Sequence, residues 1–213
     1  MLRQTHMLIL VSCLAAPATI IDRMAVIVGK GVVKDSDIER DIRVTSFLNN
    51  TQPDFSTESR KAAAGRLIDQ ELMREQIRTG EYPVAAESDV DRALAEIRKE
   101  RFANDMQYQQ ALKKYGVTEA ELKDRLSWQL TVMHFIDARF RPAVVVSDQD
   151  VQRYYDTHRA ELMKQHPEAK SLDDLKPQIE ELISGEQINK LLDDWLNQRR
   201  QQTRIQFMET SLQ

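Results

Sequence analysis

The sequence contains few of the residues that build β-rich, disulfide-linked or nucleic-acid-binding proteins. Its 213 residues include one cysteine, six glycines and six prolines, and aromatic residues make up only 6%. A single cysteine cannot form an intramolecular disulfide, and so few turn-forming residues disfavour a many-stranded sandwich. The formal net charge of -4 provides no basic surface for phosphates, so we expect no nucleic-acid partner. These absences favour a mainly α protein with solvated helices.

The common motifs of catalysis and cofactor binding are also missing. There is no GxSxG motif and no phosphate-binding glycine loop, and none of the four histidines stands at a metal-ligand spacing. Adjacent acids such as Asp173 and Asp174 diverge by roughly 100° on a helix, so they cannot share one substrate proton. We therefore expect no catalytic residue, no cofactor and no metal, and we do not expect an enzyme.

The N-terminus has the features of an export signal. A basic start at Arg3 and His6 precedes the apolar run of residues 7–14, and a small-x-small cleavage pattern ends at Ala18. We predict a signal peptide over 1–18, cleavage after Ala18 and a periplasmic location. A disordered N-terminus from a misplaced start codon is the alternative.

Cys13 follows Leu10-Val11-Ser12, and these four residues resemble a bacterial lipoprotein box. The apolar region before Cys13 is short for such a signal. Removal of Cys13 with the signal peptide is therefore favoured over a lipid anchor at this residue.

Seven helices are predicted from apolar periodicity and from capping signals. Ser36, Ser88, Thr118 and Ser147 each stand three residues before an acid, and Gly80 and Gly116 stand where helices should end. The predicted helices span about 36–49, 56–79, 87–101, 104–115, 118–140, 147–164 and 172–202. Pro142 interrupts the pattern, which divides the chain into a first helical domain over 19–146 and a C-terminal unit over 147–213.

Strand signals are confined to the two ends of the predicted mature chain. Residues 24–28 and 32–33 predict a hairpin, and residues 203–209 alternate apolar and polar side chains. Because an isolated hairpin is marginally stable, we expect the terminal segment to pair with it as a third strand. In the alternative, residues 205–208 extend the last helix.

This order of parts resembles the SurA family of periplasmic chaperones. DRMAVIVGKGVVKDSDIERDI followed by GVTEAELKDRLSWQL is similar to the family's N-terminal domain, and VVVSDQDVQRYYDTHRAEL to the segment that leads towards its parvulin domain. LDDLKPQIEELISGEQINKLLDDWLNQRRQQTRIQF is similar to the family's C-terminal helix and returning strand. The resemblance implies a mainly α helical bundle, like the SurA N-terminal or trigger-factor C-terminal domain, with a small sheet that pairs the N-terminal hairpin and the C-terminal strand.

The resemblance also implies a function, an ATP-independent holdase that binds unfolded outer-membrane or secreted polypeptides. Between Leu162 and Leu172 there is no room for a parvulin domain, and the isomerase motifs of the family have no counterpart. Two other functions stay open, a prolyl isomerase with a degenerate site and a dedicated assembly or binding protein. A homodimer through swapped helices is also left open.

Methionine and aromatic side chains in the middle helices predict a peptide-binding groove, because such side chains adapt to many apolar segments. We also expect Trp195 to anchor the core beside the terminal strand. In the alternative, most of the groove candidates fill the bundle core at ordinary helical spacing. The predicted groove residues are Phe102, Met106, Tyr108, Trp128, Met133 and Phe140, with Phe135 beside them.

Overall fold

The computed structural model describes residues 22–169, 171–209 and 212. The predicted signal peptide and Cys13 lie outside these residues. The described part contains seven α-helices, a 3₁₀ turn at Arg141–Ala143 and a small sheet, which confirms the mainly α class. The helices are α1 (Asp35–Asn49), α2 (Thr57–Thr79), α3 (Glu87–Arg101), α4 (Asp105–Tyr115), α5 (Glu119–Arg139), α6 (Asp148–Gln165) and α7 (Leu172–Gln202).

The sheet joins the N-terminal hairpin to the C-terminal segment. Strands β1 (Met24–Val28), β2 (Gly31–Lys34) and β3 (Ile205–Phe207) are antiparallel, in the order β2-β1-β3. Val26 of the central strand pairs with Val33 on one side and Phe207 on the other. The predicted third strand is therefore confirmed. Extension of the last helix through residues 205–208 is wrong, since Thr203 turns the backbone to an extended conformation.

The hairpin turn depends on a glycine. Gly29 has a φ of +58°, which is a left-handed conformation. Any residue that carries a Cβ atom adopts this conformation only at a cost in free energy. A Cβ atom at this position would also lie 3.3 Å from Cγ2 of Thr203, the residue that follows α7. Gly29 therefore permits both the tight turn and the close approach of the returning chain.

The helix boundaries follow the predictions to within one residue at each end. Thr118 and Ser147 form the predicted capping boxes at the starts of α5 and α6, and each accepts a hydrogen bond from the backbone N–H three residues on. Gly80 and Gly116 end α2 and α4, the latter in the left-handed conformation.

Two predicted caps are wrong. Ser36 lies inside the first turn of α1, where its hydroxyl donates to the Asp22 carboxylate at 2.6 Å. Ser88 lies inside α3, whose cap residue is Ala86. In both helices acidic residues flank the serine. The sequence therefore allows the helix to begin before the serine as well as after it. A further capping box, Ser171 with Asp174, opens α7 and was not among the predicted signals.

Four apolar clusters organise the packing. The sheet packs on α1 and α2, and the second cluster joins α1 to α3, α4 and the first half of α5. The third joins α2, the end of α5 and the second half of α7. We call the elements of these three clusters the body. The fourth cluster lies between α6 and the first half of α7. We call this part of the chain, residues 148–183, the arm. Among the described residues, no helix is long and apolar enough to cross a membrane.

Closure of the chain through β3 predicts a difference between two neighbouring strand residues. Phe207 packs against the sheet cluster, whereas Gln206 is exposed. We expect Phe207→Ala to lower the free energy of unfolding by about 2 kcal/mol, less than the cost at a fully buried phenylalanine. Gln206→Ala should change it by less than about 0.5 kcal/mol. Urea denaturation followed by circular dichroism measures both, and equal losses would contradict the role given to β3.

Candidate functional site

An apolar groove runs along α5, bordered by α2 and by the second half of α7. Its volume is about 670 Å³. The apolar residues that line it, which define the α5 groove, are Met73, Ala93, Leu126, Trp128, Leu130, Val132, Met133 and Leu196. Polar residues Arg66, Asp69, Gln70, Arg125 and Gln129 complete its lining.

The groove exists because α5 belongs to two cores at once. Leu122 and Leu126 are buried in the cluster with α1, α3 and α4, while Phe135 is buried in the cluster with α2 and α7. Between these two contacts, Leu130 is only partly buried and Met133 is 57% exposed. The apolar face of α5 is therefore continuous, but the two cores cover its middle turns only in part: Leu130 packs on one core and Trp128 and Val132 on the other, and all three stay partly exposed.

Trp128 and Met133 are the predicted groove residues that the structure brings together. Trp128 is partly buried, and the Arg74 guanidinium lies 4.9 Å from its ring centroid. Trp128 also borders a polar cleft of about 380 Å³ between α1, α2 and α5. Its indole thus separates the apolar groove from a charged cleft on the other side.

The other predicted groove residues do not line it. Tyr108 and Phe140 are buried, as is Phe135 beside them, so their assignment to an open groove is wrong. Tyr108 fills the space between α3, α4 and α5, and Phe140 packs edge-on against Phe135. The alternative, that such side chains occupy the core at helical spacing, holds for these three residues.

Phe102 and Met106 are displaced from the groove for a different reason. Phe102 follows the end of α3 and is partly buried against Phe47, with ring centroids 6.1 Å apart. Met106 is 70% exposed but lies in the first turn of α4, and it does not line the α5 groove.

Burial raises the pKa of the Tyr108 phenol, and the nearby Glu119 carboxylate adds to that rise.

The two tryptophans differ as expected in their burial. Trp195 is buried and packs against Phe135 and Phe140, at ring-centroid distances of 5.6 and 6.2 Å. Its predicted position beside the terminal strand is wrong, because β3 packs with the sheet cluster and Trp195 with α2 and α5. Trp195 therefore fixes α7 to the body about two turns before the helix ends.

Some groove residues were not among the candidates taken from the sequence. Met73 of α2, Leu130 of α5 and Leu196 of α7 all follow the apolar periodicity of their helices. That periodicity shows which face turns inward, but it does not show where two helices diverge. In the sequence, the apolar periodicity of these three residues is therefore indistinguishable from that of residues in the core.

A buried carboxylate beside the groove, bound to two arginines of the groove lining, was also missed. The Asp41 side chain, on α1, is 2% exposed and accepts hydrogen bonds from both Arg66 and Arg125. Arg66 lies on α2 and approaches to 2.5 Å, while Arg125 lies on α5 and approaches to 2.8 Å. Arg125 also donates to the Thr45 hydroxyl at 2.8 Å. This cluster ties together the three helices that surround Trp128.

In the part of the chain that the structure describes, no three His, Cys, Asp or Glu side chains lie close enough to hold a metal ion. Compared with known proteins, the chain matches no protein-family model, and no curated protein matches it. The candidate site is accordingly defined by its geometry and by the chemistry of its lining.

The Asp41 cluster predicts a strong dependence of stability on one carboxylate. Asp41→Asn removes the negative charge that compensates Arg66 and Arg125, and we expect the free energy of unfolding to fall by about 2 to 3 kcal/mol. The loss stays below that of a fully buried pair because Arg66 is 43% exposed. Urea denaturation of the full chain measures it.

Glu39→Gln is the matched control, since Glu39 pairs with Arg43 on the surface of the same helix. That change should cost less than about 0.5 kcal/mol. Equal losses in the two variants would show that Asp41 has no special structural role.

Proposed function

We propose that this protein is an ATP-independent periplasmic chaperone, a holdase that binds unfolded outer-membrane or secreted polypeptides in the α5 groove. The observation that carries the proposal is an apolar groove that opens to solvent along α5, with Met133 and Trp128 at its surface. Ligand-binding grooves are typically concave and lined mainly by apolar side chains with a few polar groups, as this groove is.

The side chains of the groove suit clients of varied sequence. Methionine is unbranched and flexible, so Met133 can fill gaps of different shape. Trp128 offers a large apolar face that its contact with Arg74 holds in place. Burial of apolar area stabilises a complex without directional contacts, at roughly 25 cal/mol per Å². Binding and release through such a surface require no nucleotide.

The charged residues of the lining favour selection by apolarity rather than by charge. Arg66 and Arg125 are both bound to Asp41, and Asp69 accepts two hydrogen bonds from Arg200 at 2.7 Å. Because these groups are already paired, a client need not supply a charge of either sign. Unfolded chains of many compositions therefore fit the same groove.

The resemblance to the SurA family supports the same class of function. That resemblance implies a chaperone core with a parvulin domain inserted before the last helix. In this protein α6 ends at Gln165 and α7 begins at Leu172, so a short connection stands at the corresponding place. Our proposal accordingly assigns polypeptide binding and no isomerase reaction.

The test is light scattering of an unfolded outer-membrane β-barrel protein diluted from denaturant, with and without the chain and in the absence of nucleotide. The wild-type chain should suppress scattering. Met133→Glu places an unpaired carboxylate in the groove, so we expect about tenfold more protein to be needed for half-suppression.

Met106→Glu is the matched control, because Met106 is at least as exposed as Met133 but lies on α4 outside the groove. It should suppress scattering like the wild type. Equal loss in both variants would point to general surface apolarity and overturn the groove assignment. No suppression by the wild type at severalfold excess would remove general chaperoning and favour a dedicated binding partner. Faster refolding of a proline-limited substrate would instead indicate an isomerase.

A further inference from the structure

The arm has an apolar core of its own. Six buried residues form it: Val151, Leu162, Ala169, Leu175, Ile179 and Ile183. They come from α6, from the segment that follows it and from the first half of α7. At the start of α6, Asp148 pairs with Lys176 of α7 at 2.6 Å, which links the two helices of the arm. The arm is therefore a packed hairpin rather than a loose extension.

Helix α7 changes its buried face where the arm meets the body. In the arm, Leu175, Ile179 and Ile183 follow one another at helical spacing. The next buried residue is Ile188, which belongs to the third cluster. Five residues on a helix correspond to a rotation of roughly 140°, so arm and body pack on different faces of α7. No buried side chain spans the turn between them.

That turn contains a Ser-Gly pair, Ser184 and Gly185. Apart from its chain neighbours and the adjacent backbone of α7 itself, no atom lies within 4 Å of the position that a Cβ would take at Gly185, so packing does not require glycine there. Glycine in a helix interior is less favourable than alanine by roughly 1 kcal/mol, and Gly/Ser pairs are frequent sites of helix kinks. A weakened turn of α7 therefore coincides with the change of face.

The second connection between arm and body is a short segment with neither helix nor strand, residues 144–146. Val144 packs on the body and Val146 on the arm, while Val145 between them is 77% exposed. The ion pair between Arg141 and Glu181 crosses the junction, but its 3.5 Å distance and exposed side chains make its contribution small. Leu182, also beside the junction, is 47% exposed.

We propose that Gly185 and residues 144–146 form a hinge on which the arm swings relative to the body. Local unwinding of α7 at Gly185 bends the helix. Residues 144–146 follow the motion without loss of helical hydrogen bonds, because they are not part of a helix. The swing changes the exposure of Val145 and Leu182 at the junction. The apolar clusters of arm and body stay intact, because the hinge passes between them.

The hinge is tested by pulsed electron paramagnetic resonance, which measures the distance between pairs of spin labels on the full chain. Cys13→Ser removes the sole cysteine, so introduced cysteines carry the labels. Ala160→Cys labels the arm, and Ala95→Cys labels the body on α3; both positions are exposed. We expect a wider distance distribution for this pair than for a pair within the body, Ala62→Cys with Ala95→Cys.

Gly185→Ala should narrow the arm–body distribution, with about a fourfold fall in the population outside its main peak. Gly65→Ala is the matched control: Gly65 is also helical with open space around it, but it lies in α2, away from the junction. It should leave the arm–body distribution unchanged. An arm–body distribution as narrow as that of the body pair, or equal effects of the two alanine variants, would overturn the hinge.

Discussion

The carboxylate of Asp41 is the constraint on which the arrangement of the central helices depends. A charge removed from water must find compensating charges, and those of Asp41 come from one arginine on α2 and one on α5. Apolar packing alone tolerates many small shifts between helices, whereas a buried ion cluster requires one geometry. Because Arg66 and Arg125 also line the α5 groove, the cluster that positions α1, α2 and α5 positions the site as well.

A second constraint comes from the two ends of the described chain. Strand β3 pairs with β1, so α7 must return to the sheet and pack across α2 on its way. Arg60 of α2 contributes to this closure, since it donates to Asp35 at 2.7 Å and lies 3.7 Å from Glu209. The long helix thereby serves two purposes: one half completes the body and borders the groove, and the other half supports the arm.

The sequence predicted the elements far better than the site. Trp128 and Met133 were found because aromatic and sulfur side chains stand out in a chain with few of them. Tyr108 and Phe140 carried the same signal but are buried. The sequence pattern of a large apolar residue is the same whether it lines a groove or fills a core. The distinction depends on whether a neighbouring helix covers the residue, and α5 is fully covered at both ends but only partly in its middle.

Local chemistry by itself determined the helix spans, the caps at Thr118 and Ser147, the glycine turn at Gly29 and the strand character of the two chain ends. These features depend on hydrogen bonds and periodicities within a few residues, or on strand signals with few competitors. Tertiary structure alone decided which apolar face stays open, that Asp41 is buried between two arginines, and that α7 divides between arm and body. Each of these depends on contacts between residues far apart in the chain, whose geometry appears only when the helices pack.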